Sequence, residues 1–274
     1  MGPVSTSSMF FHEYGTPEIF GFVREAGLTG IEFWIETPHF WVRGLPEQEV
    51  AAARDDGHSA LPLTVHAPVL DLNPCSINPR VAEASVAYSV EAIGIAERLG
   101  ASVLTVHPGR RTAKRPPSEA DFARFRTYIG ALRDRAKGSP VRVAMENMEP
   151  LVNSLICTPE DMRSLLDREP WLQFTLDVSH ASGNNSGEVF RYIELCGDRL
   201  ANVHLSRANG ERMHFPITGD AKSARVLESL EDAGYSGPLT LEIEDRNFPR
   251  DLGPGEKVAI LSHEVSFIRS VIRS

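Results

Sequence analysis

The chain is predicted to be an α/β protein, one (β/α)8 barrel domain spanning residues 1–274. Three observations predict it. Short β-favouring apolar runs alternate with helix-periodic segments from end to end. From the second strand onward the repeat is roughly 27 to 40 residues, the length of a βα unit. The strands also end, one after another, in acidic or imidazole side chains, as the active-site face of such a barrel requires. A doubly wound open sheet would need fewer strands, and no GxGxxG follows an early strand. No linker or composition break divides the chain.

The candidate strands are residues 9–12, 30–36, 63–66, 102–107, 142–147, 173–177, 200–205 and 239–244. The clearest helix carries Val81, Ala84, Tyr88, Ala92, Ile95 and Leu99, whose gaps of three and four make one apolar stripe. Asn78-Pro79 supplies its cap and a proline at the first helical position. Thr16-Pro17 and Thr158-Pro159 repeat that device, and Ser118 with Asp121 resembles a capping box. Gly27, Gly100, Gly138 and Gly234 stand where helices should stop. The last helix is expected over about residues 256–274.

With 42% apolar and 24% charged residues, a disordered or fibrous chain is excluded. The 28 Lys and Arg against 37 Asp and Glu leave a net charge of −9, which opposes bulk attraction to nucleic acid. Cys75, Cys157 and Cys196 are odd in number and far apart. They suit a reducing compartment and form neither a disulfide framework nor a zinc knuckle. No apolar run approaches a membrane span, and no signal-peptide pattern opens the chain, so a cytoplasmic protein with no membrane partner is expected.

Parallel strands covered on both faces should be apolar, so charged residues at their ends need a reason. The exceptions are His66 in TVHAP, His107 in LTVHPG, Glu146 in VAMEN, Asp177 in FTLDVSH, His204 in NVHLS and Glu242 in LTLEIE. In a barrel they converge on one face, and a divalent cation resolves the cost of burying them together. Carboxylate oxygen and imidazole nitrogen suit zinc, manganese or iron, and no organic cofactor is implied. His180, three residues after Asp177, and His214, in the loop after strand seven, extend the cluster. His12, His39, His58 and His263 are assigned surface or core roles, although His12 could end strand one. Glu242 is preferred to Glu244 because it ends the apolar run. Glu32 in GIEF either orients a ligand, binds substrate or forms an internal ion pair.

The motifs HAP (66–68), HPG (107–109), MEN (145–147), LDVSH (176–180), VHLS (203–206) and LEIE (241–244), in this order, resemble the xylose-isomerase-like TIM-barrel superfamily. That superfamily holds sugar isomerases and epimerases together with endonuclease IV. The epimerase resemblance implies a metal held by Glu146, Asp177, His204 and Glu242, with Glu146 and Glu242 as the acid/base pair and His180 holding substrate. The implied reaction is a sugar or sugar-phosphate isomerisation or epimerisation through an enediolate. The endonuclease IV resemblance, on abasic DNA, implies additional metal ligands His66, His107, His180 and His214. It lacks one ligand: where that family places an aspartate two before the loop histidine, this chain has Arg212, which would repel a third cation. The segment DVSHA likewise departs from that family's DTCH.

Arg110, Arg111, Lys114 and Arg115 follow strand four, and Arg207, Arg212 and Arg246 follow strands seven and eight. On the metal face these cations would suit a phosphorylated carbohydrate or a DNA backbone. Arg110, Arg111 and Arg212 are therefore candidate substrate contacts, set against solvated loops with local ion pairs. Trp34, with Phe33, Phe40 and Trp41, could stack on a sugar ring or simply pack. The leading expectation is a metal-dependent isomerase or epimerase of a small carbohydrate. The alternatives are a phosphodiesterase with nucleic acid as partner and a non-catalytic, metal-assisted sugar-binding barrel. The oligomeric state, a homo-oligomer included, is left open.

Overall fold

The computed structural model describes residues 2–55, 60–182, 187–210 and 212–272. In chain order the first half comprises β1 (Val4–Thr6), a 3₁₀ turn (Ser8–Phe11), α1 (Thr16–Glu25), β2 (Ile31–Trp34), α2 (Pro38–Val42), α3 (Glu47–Arg54), β3 (Leu63–His66), α4 (Pro79–Arg98), β4 (Val103–Val106) and α5 (Glu119–Ala136). Then come β5 (Arg142–Glu146), α6 (Pro159–Arg168), β6 (Gln173–Asp177), α7 (Val178–Ala181), α8 (Glu188–Cys196), β7 (Leu200–Leu205), β8 (Arg207–Asn209), β9 (Arg212–Phe215), α9 (Ala221–Asp232), β10 (Leu239–Leu241) and α10 (Pro254–Val271).

Eight strands form one parallel sheet in the order β1-β10-β7-β6-β5-β4-β3-β2. A parallel bridge between Ser7 and Glu32 brings its two edges together, helped by the amides of Thr29 and Gly30 donating to Val4 O at 2.9 and 3.1 Å. The sheet therefore curls into the expected barrel. Its outer wall, with Phe33, Val65, Leu104, Met145, Phe174, Leu176 and Val203, is buried in the main apolar core.

The inside of the barrel is polar at mid-height. Glu32, Thr64, Thr105, Thr175, Asn202 and Thr240 are at most 2% exposed. They are hydrogen-bonded to one another: Thr64 Oγ1 donates to Glu32 Oε2 at 3.2 Å, Thr240 Oγ1 donates to Asn202 Oδ1 at 3.1 Å, and the Thr105 and Thr175 hydroxyls lie 3.0 Å apart. Side chains two apart on a strand share a face. Thr64, Asn202, Thr175 and Thr240 therefore sit directly beneath His66, His204, Asp177 and Glu242.

Most caps act as the sequence predicts. Asn78 Oδ1 accepts from Arg80 N at 3.1 Å, and Thr158 Oγ1 accepts from Asp161 N at 3.1 Å. Asp121 accepts from Ser118 N at 2.8 Å. Gly27, Gly100, Gly138 and Gly234 take left-handed φ of 74°, 65°, 77° and 73° just past their helices. Thr16 is the exception: it opens α1 without a side-chain cap, and Glu18 accepts from Gly15 N instead, at 2.9 Å.

Two elements differ from expectation. The first strand is Val4–Thr6, not residues 9–12, which lie largely in the 3₁₀ turn. Ser7 Oγ accepts from Met9 N at 3.2 Å and bends the chain there, while Phe10 and Phe11 bury in the core without pairing. After β7, β8 and β9 form an antiparallel hairpin where the sequence predicts only a loop. The final helix runs Pro254–Val271, and residues 273 and 274 lie outside the described residues, as does His58.

Candidate metal centre

Glu146 and Asp177 are the last residues of β5 and β6, His204 lies one residue before the end of β7, and Glu242 follows β10 directly. Each offers one donor atom, and the four lie within 4.8 Å of one another. His204 Nδ1 is the hub, 2.8 Å from Glu242 Oε2, 3.4 Å from Glu146 Oε1 and 3.9 Å from Asp177 Oδ2. The side chains of Asp177, His204 and Glu146 are at most 1% exposed, whereas that of Glu242 is 14% exposed at the mouth.

Local structure aims these groups. Asp177 caps α7, its Oδ1 accepting from His180 N at 2.6 Å and from Ser179 Oγ at 3.0 Å, so Oδ2 turns inward. Asn147 clamps the same residue's backbone, accepting from Asp177 N at 2.8 Å and donating to Asp177 O at 3.0 Å. Three buried atoms at the centre, Asp177 Oδ2, His204 Nδ1 and Glu242 Oε2, make no hydrogen bond among the described residues. Leaving carboxylate oxygens and an imidazole nitrogen so buried is expensive unless a cation meets them. The donor set of three carboxylates and one imidazole fits a divalent ion of manganese, zinc or iron type.

The electrostatics agree with a crowded, partly compensated cluster. Burial works to raise the Glu146 carboxyl, but the imidazoles of His204 and His107 hold it well below the usual carboxylate range. Burial likewise opposes, and His204 and His214 outweigh it, in pulling Glu242 down. Asp177 goes the other way, raised chiefly by burial. His204 and His180 are driven well above the ordinary histidine value: burial resists, but Glu32, Glu242 and Glu146 act on His204, and Asp177 and Glu146 on His180.

The further histidines also arrive at the centre. His66, His107 and Glu146 form a second close group, in which Glu146 Oε2 lies 3.4 Å from His66 Nε2 and 3.0 Å from His107 Nε2. Asp177, His180 and His214 form a third. His180 Nδ1 is 3.0 Å from Asn147 O and 3.4 Å from Glu146 Oε1. His214 reaches in from β9 with a left-handed φ of 64°, its Nδ1 3.2 Å from Ser206 Oγ. Of the remaining histidines, His39 and His263 are exposed and His12 is half-buried, beside Glu13 and Asp245.

Trp34 lies flat on His66, ring centroids 3.7 Å apart and planes 8° from parallel. It also borders a cavity of about 300 Å³ shared with Met9, His12, Leu70, Glu242 and Asp245. The basic rim is largely spent on its own loops. Arg111 Nη1 donates to Pro116 O at 2.6 Å, and Arg207 Nε to Pro216 O at 2.8 Å. Arg212 Nη2 donates to Arg246 O at 2.8 Å, while its guanidinium stands 5.5 Å over Phe215. Arg246 pairs with Glu244. Exposed Arg110 borders a narrow, mostly apolar cavity of about 70 Å³ that reaches His107.

Sequence reasoning missed Asn147 and Asn202. Asn147 stood inside the MEN motif, where an amide directly after a strand-end acid was the available signal. Asn202, two before His204, carried the same inward periodicity.

Among solved structures, a D-tagatose 3-epimerase-like protein superposes with a TM-score of 0.76 at 23% identity, covering 98% of both chains. Endonuclease IV from Thermus thermophilus superposes with a TM-score of 0.66 at 19% identity, covering 97% of this chain and 98% of that one. At those identities the likeness shows the fold. An uncharacterized protein of Methanocaldococcus jannaschii is 28% identical over 99% of this chain and 100% of its own. Residues 20–271 match the family described as xylose isomerase-like TIM barrel, and the chain belongs to that family.

Proposed function

We propose that the chain is a divalent-metal-dependent epimerase or isomerase of a small carbohydrate. The observation that carries this reading is the pair of glutamates, Glu146 and Glu242, flanking His204 Nδ1 at 3.4 and 2.8 Å around unpartnered buried atoms. A divalent ion held by Glu146, Asp177, His204 and Glu242 would supply the positive charge that polarises a substrate carbonyl. The protein's own part is proton transfer. One glutamate takes the proton from the carbon beside the carbonyl, and the other returns a proton to the opposite face for epimerisation. Their surroundings differ in the way such a pair requires. Glu242 meets solvent at the mouth, whereas Glu146 is sealed in and touches His107, 20% exposed, as its route to solvent. His180 stands where it can hold a substrate hydroxyl. The sugar-epimerase likeness of the fold supports the same reading.

Incubation of ketoses with the metal-loaded protein in deuterated water tests it. Deuterium should enter beside the carbonyl in wild type, and Glu146→Gln and Glu242→Gln should each lose at least about a hundredfold in exchange. Wild type that exchanges no ketose or aldose would remove the reading.

The His66/His107/Glu146 and Asp177/His180/His214 groups favour, as a second reading, a multinuclear phosphodiesterase of the endonuclease IV kind. Arg212 stands against it. Two or three metals per chain together with nicking of abasic DNA would establish it, and one metal without nicking would dismiss it.

A further inference from the structure

A polar cavity of about 240 Å³ adjoins the metal centre and has no part in the proton-transfer scheme. Its walls are α7 after β6, the start of the β8–β9 hairpin after β7, and the first turn of α9. Two cations line it, Arg207 on β8 and Lys222 on α9. Neither forms an ion pair among the described residues, whereas Arg246 is paired with Glu244 and Lys257 with Glu13 and Asp245. Arg207 is anchored through Nε alone, which donates to Pro216 O at 2.8 Å, so both Nη groups remain available. Lys222 Nζ donates to Ser182 Oγ at 2.8 Å and keeps its other N–H donors. Burial draws that ammonium below the ordinary lysine value, against the pull of Asp220. Asp220 is the carboxylate in the lining, and it is turned to the helix: its Oδ2 accepts from Ser223 N and Ser223 Oγ, both at 2.7 Å.

We propose that this cavity is an oxyanion site, in which Arg207 and Lys222 take the phosphate group of a phosphorylated carbohydrate whose reacting carbons lie at the four-donor centre. A chain of net charge −9 that leaves two cations unpaired in one cavity concentrates positive potential there. Two cations match a phosphate monoester, which carries nearly two negative charges near neutral pH, better than the single charge of a sugar carboxylate. The guanidinium offers parallel N–H donors to two phosphate oxygens, and the ammonium adds a point charge. A partly desolvated lysine without a counter-ion is costly, and a bound anion offsets that cost.

The cavity also stands at a suitable distance from the chemistry. Val178, in its wall, directly follows Asp177. Ser206, also in the wall, comes two residues after His204 and therefore on the same side of the chain, about 6–7 Å farther toward the mouth. That span is a few carbon–carbon bonds, the length a ketose places between its carbonyl region and a terminal phosphate. The assignment narrows the carbohydrate reading given above and rests on it for the reacting end. The anion site itself is testable without any turnover.

Calorimetric titration of the full chain with inorganic phosphate, in the presence of a chelator, reads the site directly. Wild type should bind saturably, and Lys222→Met and Arg207→Gln should each bind about 10- to 100-fold more weakly. Lys222→Arg, which keeps the charge, should retain most of the binding. Lys222→Met leaves Ser182 Oγ its bond to Val178 O at 2.6 Å, so it decides the matter if the hairpin variant does not fold. In the deuterium-exchange assay, a ketose phosphate should then show kcat/KM at least about tenfold above that of the free ketose, an advantage Lys222→Met removes through KM. No saturable phosphate binding by wild type, or equal affinity in wild type and Lys222→Met, would overturn the proposal. Phosphate bound, with the free ketose exchanged as well as its phosphate, would overturn the substrate assignment. Phosphate bound with no exchange of any ketose or ketose phosphate would sink the carbohydrate reading and leave the anion site standing.

Discussion

Lys257 on α10 is fully buried, and its Nζ contacts both oxygens of Glu13, at 2.7 and 2.8 Å, and Asp245 Oδ2 at 3.1 Å. It thereby ties α10 to the loop after β1 and to the segment after β10, beside the cavity bordered by Glu242. Replacing it by methionine keeps the stem that passes Phe10, whose ring centre lies 5.3 Å from Nζ, and removes only the charge. Breaking a wholly buried ion pair from one side costs roughly 3–5 kcal/mol. The carboxylates here are 42% and 30% exposed and can turn to water, which reduces the expected loss to about 1–3 kcal/mol. For a chain of this size that is a fall of roughly 2–5 °C in Tm. Thermal unfolding of wild type and Lys257→Met followed by circular dichroism measures it. The difference should persist in 1 M salt, since an ammonium without solvent contact is poorly screened. A Tm unchanged within about 1 °C, or a difference abolished by salt, would show that the contact behaves as a surface pair and refute the reasoning.

Burial pushes the thiols of Cys75 and Cys196 up to about 12. A raised thiol value means less thiolate at a given pH, about one part in ten thousand at pH 8, rising tenfold per pH unit. Iodoacetamide on native protein at pH 8 should therefore modify half-buried Cys157 first and spare the other two, with all three modified after unfolding, as mass spectrometry would show. Glu264, 1% exposed, accepts from the amides of Ile217 and Thr218 at 2.6 and 3.0 Å. Glu264→Ala leaves both amides unpaired and should lower unfolding free energy in urea by about 2–4 kcal/mol. Asn147→Ala frees the Asp177 backbone, and calorimetric Mn2+ titration should show affinity about tenfold weaker.

Much of this architecture was legible because acidic and imidazole residues interrupt apolar runs at regular distances. Such an interruption has few physical explanations when both faces of the sheet are covered. His66, Glu146, Asp177, His204 and Glu242 were found on that ground. Strand one was misplaced because Met9, Phe10 and Phe11 look like a strand in composition. The Ser7 hydroxyl that turns the chain there is a single local hydrogen bond without periodicity. The hydroxyl layer at mid-height stayed hidden for a different reason: Thr64, Thr105, Thr175 and Thr240 are β-branched and read as ordinary strand formers, whatever their hydroxyls do. Arg207 and Arg212 lie in the β8–β9 hairpin rather than in a loop, and which carbonyl each rim arginine meets depends on local conformation that no spacing encodes.

The hydroxyl and amide layer at mid-height also changes how this cylinder could be redesigned. Its contacts join β4 to β6 and β2 to β7, strands that share no edge, so opposite walls are braced across the bore. An interior of leucine and valine could be repacked piecemeal, one bulge compensating for another. A braced bore cannot: Thr105→Val conserves volume yet cuts a strut, and the slack would be felt at the mouth on the far side. Attempts to alter what this barrel handles should begin at the loops around the rim and leave the struts in place.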